Sequence, residues 1–355
     1  MNLRLAIEGD AAMNITAPKK MNILLILEVL KKHTDDENKL NQATILDLVE
    51  QEYGISVDRH ALKRNLDNLL DLNCGVVFDP RNPVTGEPGG WYFMREITDA
   101  EMRMLIDGLI SSKYIAYDDC MNLIKKLEDL SSTHFRRSSA LPQNRIENRE
   151  IFFNIEEIIY ARRQKCKIAF NYMRYGTDLK MHVGTDEDGL PRRHVVSPYN
   201  IVITNERYYL ICSKDDSDEL THYRLDNICN IEVLEDEKCR PIKELPGFSA
   251  GFNLSDYMKP RIYMYSGKVS RVTFRANKLA NRNIVSHIID WFGKDVRFSD
   301  ECEEFVLASA TVNEHAMLFW ALQYGTAIEV LEPTGLRKEI RKTISKIADV
   351  YNTNQ

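Results

Sequence analysis

Six side chains between residues 191 and 228 have types and spacings suited to holding an anion: Arg193 and His194, Tyr199, Tyr209, and His222 with Arg224. Arginine presents a planar fork of donors that fits a phosphate, histidine adds a donor that strengthens on protonation, and a tyrosine ring offers a face for base stacking. No nucleophile motif accompanies them. The sequence contains no GxSxG elbow, P-loop, HExxH or dinucleotide fingerprint. The chemistry on offer is recognition rather than bond cleavage, so an enzyme is not expected and no cofactor is implied.

Strand alternation must position these groups. In VVSPYNIVI, RYYLIC and THYRLD, successive side chains leave opposite faces of a sheet, giving each strand one apolar row and one polar or aromatic row. His222 and Arg224 share a face, and Tyr223 and Leu225 take the other. Tyr208 and Leu210 oppose Tyr209 and read as core. An alternative makes His222 a satisfied strand histidine beside a surface arginine. The short strands KIAFNYM, LKMHVG, HVVSPYNIVI, RYYLIC, THYRL and ICNIEVLE, with turns at Tyr175-Gly176, Asp188-Gly189 and Asn205-Glu206, predict a small, strongly bent β-barrel.

A second cationic set lies near the N-terminus. Helical periodicity begins at Met21, a second amphipathic segment runs from Gln42 to Tyr53 and ends at Gly54, and Ser56 is read as the cap of a third helix. Val57, Ala61, Leu62, Leu66, Leu69 and Leu70 form its predicted apolar stripe. Arg59 with Lys63, and His60 with Arg64, project from the other side at i,i+4 spacing. Cations on the first turns of a second helix suit a major groove, where Arg pairs with guanine and Lys with phosphate. A merely solvated charged face is the competing reading. The β-prone runs at residues 76–78 and 91–93, joined by DPRNPVTGEPGG, extend the pattern to a winged helix with Arg81 and Thr85 near the wing tip. Trp91 and Phe93 are expected to pack beneath the hairpin.

The strand region resembles the WYL domain of bacterial transcriptional regulators, an Sm-like small β-barrel, through VVSPYNIV, RYYLIC and HYRLDNI. The name-giving tripeptide is Tyr208-Tyr209-Leu210, with Tyr in place of Trp. The order of winged helix, helical linker, barrel and a WCX-type C-terminal extension resembles that family over nearly the whole chain. The resemblance implies a sensor that binds a nucleic-acid fragment or nucleotide-like ligand and alters the DNA affinity of the attached helix-turn-helix. Tyr209 takes the position of the motif tyrosine, His222 and Arg224 that of the basic pair on the next strand, and Arg193 and His194 precede the Pro198-Tyr199 step. Asn227 stands where the family frequently carries a second arginine.

With 355 residues, 44% hydrophobic and 28% charged, the chain has material for two or three folded domains. A net charge of -6 means that any nucleic-acid binding comes from a local patch. Seven scattered cysteines without a CxxC pair suit a reducing cytoplasm, and none sits at zinc-ligand spacing. No segment approaches the ~18 apolar residues of a membrane span. The expected architecture is multidomain α+β: a flexible leader over 1–17, a winged helix-turn-helix over 18–95, a helical linker and dimerisation region over 96–165, the WYL domain over 166–240 and an extension over 241–355. In the linker, Met104, Leu105 and Leu109, then Ile151, Phe152, Ile155, Ile158 and Ile159, are the expected apolar stripes. The order βαββαβα after residue 268 predicts a ferredoxin-like extension. The expected partners are double-stranded operator DNA, a single-stranded nucleic acid or nucleotide as effector, and a second copy in a homodimer; a membrane is not among them. The alternative function is a non-DNA adaptor whose barrel binds RNA or a protein.

Overall fold

The computed structural model describes residues 21–81, 89–112, 114–136 and 148–352. It shows a multidomain α+β protein with two compact units: Met1–Ser111 with Tyr117–Gln143, and Ser112–Ala116 with Asn144–Gln355.

The first unit opens with α1 (Asn22–His33), α2 (Gln42–Tyr53) and α3 (Arg59–Asp71). Two short antiparallel strands, β1 (Val76–Asp79) and β2 (Gly90–Phe93), follow, and α4 (Asp99–Ser111) and α5 (Tyr117–Glu128) close it. Ile26, Val29 and Leu30 of α1, Ile45 and Val49 of α2, and Leu62, Leu66 and Leu69 of α3 meet Val76 and Trp91 in one core. Phe93 packs against this core, as expected for aromatic area under a small hairpin. Gly54 ends α2 at φ 65°, a left-handed conformation that glycine enters without Cβ strain.

Three sequence expectations are corrected here. The N-cap of α3 is Asp58, whose carboxylate accepts from the backbone N–H of His60 and Ala61, so Ser56 lies before the cap. Leu70 is exposed at the end of the stripe. On α4 the buried positions are Met102 and Ile106, while Met104 and Leu105 face outward. Apolar residues there wrap more than one face, and packing against α5 selects which is covered.

The second unit begins with α6 (Ile151–Gln164), which turns through Lys165 at φ 56° directly into strand β3 (Cys166–Tyr175). Then come β4 (Met181–Val183), β5 (Arg193–Thr204), β6 (Arg207–Ser213), β7 (Leu220–Arg224) and β8 (Ile228–Lys238). The sheet order is β4-β3-β5-β6-β7, with β8 returning to pair with β3. β5 serves two partners: residues 193–196 pair with β3, and residues 197–204 with β6 across a bulge after Pro198. A bulge is where a strand tolerates the missing N–H of proline and bends. The strands do not close on themselves: among the described residues β7 and β8 form no ladder, and the chain between them makes a 3-10 turn at Leu225–Asn227. Asn205 and Glu206 both have positive φ, the turn that a two-residue hairpin favours. Phe170, Val196, Leu210, Tyr223 and Leu225 fill one side of the sheet against Ile151, Ile158 and Ala161 of α6. Phe152 of α6 is exposed, outside the stripe expected of it.

After a segment containing the short helix α7 (Leu254–Met258), the chain forms β9 (Val269–Asn277), α8 (Ile284–Phe292), β10 (Arg297–Ser299), β11 (Phe305–Asn313), α9 (Glu314–Tyr324), β12 (Ile328–Glu332) and α10 (Thr334–Asn352). The antiparallel order β10-β11-β9-β12 is that of a ferredoxin-like βαββαβ unit, to which α10 is added. Phe274 and Trp320, both fully buried, centre its core.

Candidate functional site

The strongest charge arrangement surrounds Asp226 in the 3-10 turn. Its side chain is only 1% exposed, and it accepts from Arg207 Nη1 at 2.6 Å, Arg224 Nη2 at 2.6 Å and Arg224 Nε at 3.1 Å. The side chain of Asn148 donates to the main-chain oxygens of Asp226 and Ile228, and that of Asn154 to Ile228, which fixes the turn from below. The hydrogen bonds that Arg224 donates to Asp226 hold its guanidinium above its usual pKa. One carboxylate between two guanidiniums leaves an excess positive charge, and both arginine side chains remain partly exposed, at 25% and 33%. Tyr209 stands opposite Arg224 in the β6–β7 register, half-buried, and burial raises its hydroxyl pKa. Arg207, Arg224 and Tyr209 thus form a fork-and-ring surface able to take a phosphate and a base.

The other expected ligand residues are not gathered on this surface. His194 lies on the opposite side of the sheet, stacked on Phe170 at 5.6 Å and 3.2 Å from the Tyr223 hydroxyl through Nδ1. Burial, helped by Arg192, lowers its pKa and keeps the ring neutral. Arg193 is exposed and paired with Glu232 at 2.7 Å. Tyr199 donates to the Arg240 carbonyl at 2.8 Å and lies 2.7 Å from the Ser213 hydroxyl.

His222 does share the strand face of Arg224, but it is covered. Its Nε2 lies 2.8 Å from the Tyr257 hydroxyl of α7, and burial, with Arg261 beside it, pushes its pKa down to about 4. Leu245, Tyr257 and Met264 pack there on Val202, Ile211 and Leu220, with Phe248 and Phe252 around them. Residues 242–264 therefore form a strap over this face, although the sequence reading assigned them to the C-terminal extension.

Arg207 and Asp226 were missed by sequence reasoning. Arg207 sits in the same alternating row as Tyr209, which was a usable signal; that Asp226 turns inward depends on the 3-10 turn. Asn227, in place of an arginine, donates to the Tyr172 hydroxyl at 3.3 Å. Among the described residues, no three His, Cys, Asp or Glu side chains gather as metal ligands. No described helix is long and apolar enough to cross a membrane.

In the first unit, Arg59, His60, Lys63 and Arg64 are all exposed on α3. None has a side-chain hydrogen bond or ion pair among the described residues. Arg81 is exposed at the end of β1, and Thr85 lies outside the described residues.

Family models match two parts of the chain: the WYL domain over residues 154–233 and the WCX domain over residues 271–348. The chain thus carries a WYL domain, which includes the strands around the Asp226 cluster, followed in sequence by a WCX domain. No curated protein matches it. Among solved structures it is similar to proteasome accessory factor B/C (PafBC) of Arthrobacter aurescens, at 15% identity and a TM-score of 0.26, covering 95% of this chain and 50% of that one. The chain thus spans about half the length of that relative. It is also similar to a CRISPR Cas-related protein, at 13% identity and a TM-score of 0.36, covering 89% of this chain and 92% of the other.

Proposed function

We propose that this protein is a ligand-responsive, DNA-binding transcription regulator. The observation that carries the reading is the exposed, unpaired cationic face of α3, following a helix and a left-handed glycine turn. In this reading residues 18–95 form the winged helix-turn-helix, with Arg59, His60, Lys63 and Arg64 in the major groove and the β1–β2 loop, including Arg81 and Thr85, at the DNA backbone. Residues 96–165 link it to the WYL sheet, and a homodimer reads two half-sites. An anionic, nucleotide-like effector binds the surface of Arg207, Tyr209 and Arg224 and shifts operator affinity by binding one state of the protein better than the other.

Operator fragments selected from genomic DNA test the DNA half of the proposal. Changing Arg59, Lys63 and Arg64 together to alanine should weaken binding and flatten the plot of log affinity against log salt by about 2 to 3, since roughly 0.9 counterion is released per phosphate contact. Unchanged affinity and slope in that variant would overturn the assignment of α3.

A further inference from the structure

A cavity of about 420 Å³ opens between the β5–β6 turn, α7 and α8, lined by Thr204, Asn205, Met258, Lys259, Arg261 and Trp291 among others. Its lining includes none of Arg207, Tyr209, Arg224 and Asp226. Much of its wall, from Ser255 to Ile262, belongs to chain between the WYL and WCX matches. Its size suits a small organic ligand.

Arg261 is the informative lining residue. Its guanidinium stacks on the Tyr257 ring at 3.6 Å and donates from Nη1 to the Tyr257 carbonyl at 2.7 Å. Its Nε is buried and has no hydrogen-bond partner among the described residues. A buried donor left unpaired is costly. Lys259 adds a second cation, exposed and shared with Asp256 at 3.0 Å and Asp295 at 4.0 Å, and Trp291 presents a half-buried indole, set edge-on to Tyr263 at 5.0 Å. Asn205 is anchored through its Nδ2 to the Ile262 carbonyl at 2.6 Å, which leaves its side-chain oxygen as an acceptor. Asp290, exposed at the rim, is a further acceptor for sugar hydroxyls or an exocyclic amine. Two cations, a flat aromatic wall and acceptors for hydroxyl or amine groups together describe a compact anion that carries a planar ring.

We propose that this cavity is a second ligand site that binds a nucleoside monophosphate, with the phosphate on Arg261 and Lys259 and the base against Trp291. The site reaches the WYL sheet physically: Arg261 holds Tyr257, and Tyr257 meets His222 on β7. The proposal does not depend on DNA binding.

The test titrates the full chain with AMP, GMP, CMP and UMP, and with inorganic phosphate and adenosine as controls, by calorimetry and by the indole N–H resonances in NMR. At least one monophosphate should bind saturably at one per chain and shift the Trp291 indole resonance, while the resonances of the buried Trp91 and Trp320 stay in place. Arg261→Lys, which keeps the charge and loses the fork, and Trp291→Leu should each weaken at least tenfold the binding that shifts this resonance, and Arg341→Gln, at an exposed position on α10, should leave it unchanged. Four outcomes would overturn the proposal: no saturable binding by any of the four, phosphate alone binding as tightly, an unmoved Trp291 resonance, or unchanged binding in both cavity variants. The resonance test uses the wild-type chain, so it stands even if a variant fails to fold.

Discussion

Asp226 shows how one buried carboxylate organises its surroundings. Removing it strands two partly buried guanidiniums, so Asp226→Ala should cost about 3 kcal/mol, as for breaking a buried ion pair from one side. Arg207→Ala leaves the bidentate Arg224 pair in place and should cost about 1 kcal/mol. Urea unfolding at pH 7 measures both, with equal slopes expected. His222 gives a pH signature. The unfolded ring titrates near 6.5 and the folded one at about 4, so the unfolded chain takes up the proton first. The stability contributed by the neutral ring is complete above pH 6.5 and is lost as pH falls through 4, by about 3 kcal/mol. His222→Gln should remove that share of the acid slope; an identical slope in the two proteins would mean that His222 is not held neutral. The strand faces of Tyr209, Tyr223 and Arg224 were legible from alternation alone. The separation of His194 from His222 was not, because it depends on which side of β5 meets Phe170, a matter of register between distant segments.

At the scale of elements, capping decides where α3 starts and thus where its cations point. Asp58→Ala should cost about 1 kcal/mol of the first unit's stability, while Ser56→Ala should stay within about 0.5 kcal/mol. A reversed ranking in thermal unfolding would return the cap to Ser56. Ser56 and Asp58 both carry side chains able to cap, and Asp58 takes the role because it has the extended backbone just before the first helical turn. The α4 stripe was misread for a related reason: with Met102, Met104, Leu105 and Ile106 nearly consecutive, periodicity admits more than one buried face. Strand identities from β3 to β8 were readable, since alternation is local. Closure of the sheet was not, since it depends on the direction the chain takes after Arg224.

At the scale of the molecule, the two units have separate cores, one around Leu62 and Leu66 and others around Phe170 and Phe274. Leu66→Ala opens a cavity in the first core alone and should cost about 3 kcal/mol there. Calorimetry should show one transition lowered and another unmoved; a single transition shifting as a whole would mean that the units melt together. The charges act at this scale as well. A chain of net charge -6 that carries a bare cationic helix should bind duplex only where that helix can reach it, and added salt should erode the attraction quickly.

The strap over residues 242–264 has a consequence for exchanging parts between proteins. Leu245, Tyr257 and Met264 belong to the WYL sheet's outer cluster, whereas Ile262, within the same stretch, belongs to the core built around Phe274. The two modules therefore have no clean seam. A chimera spliced after residue 233 loses the native cover over Ile211 and Leu220, and one spliced before residue 271 deprives the incoming extension of its own Ile262 contact. Only a graft that brings the sheet, the strap and the extension from one parent keeps both cores filled.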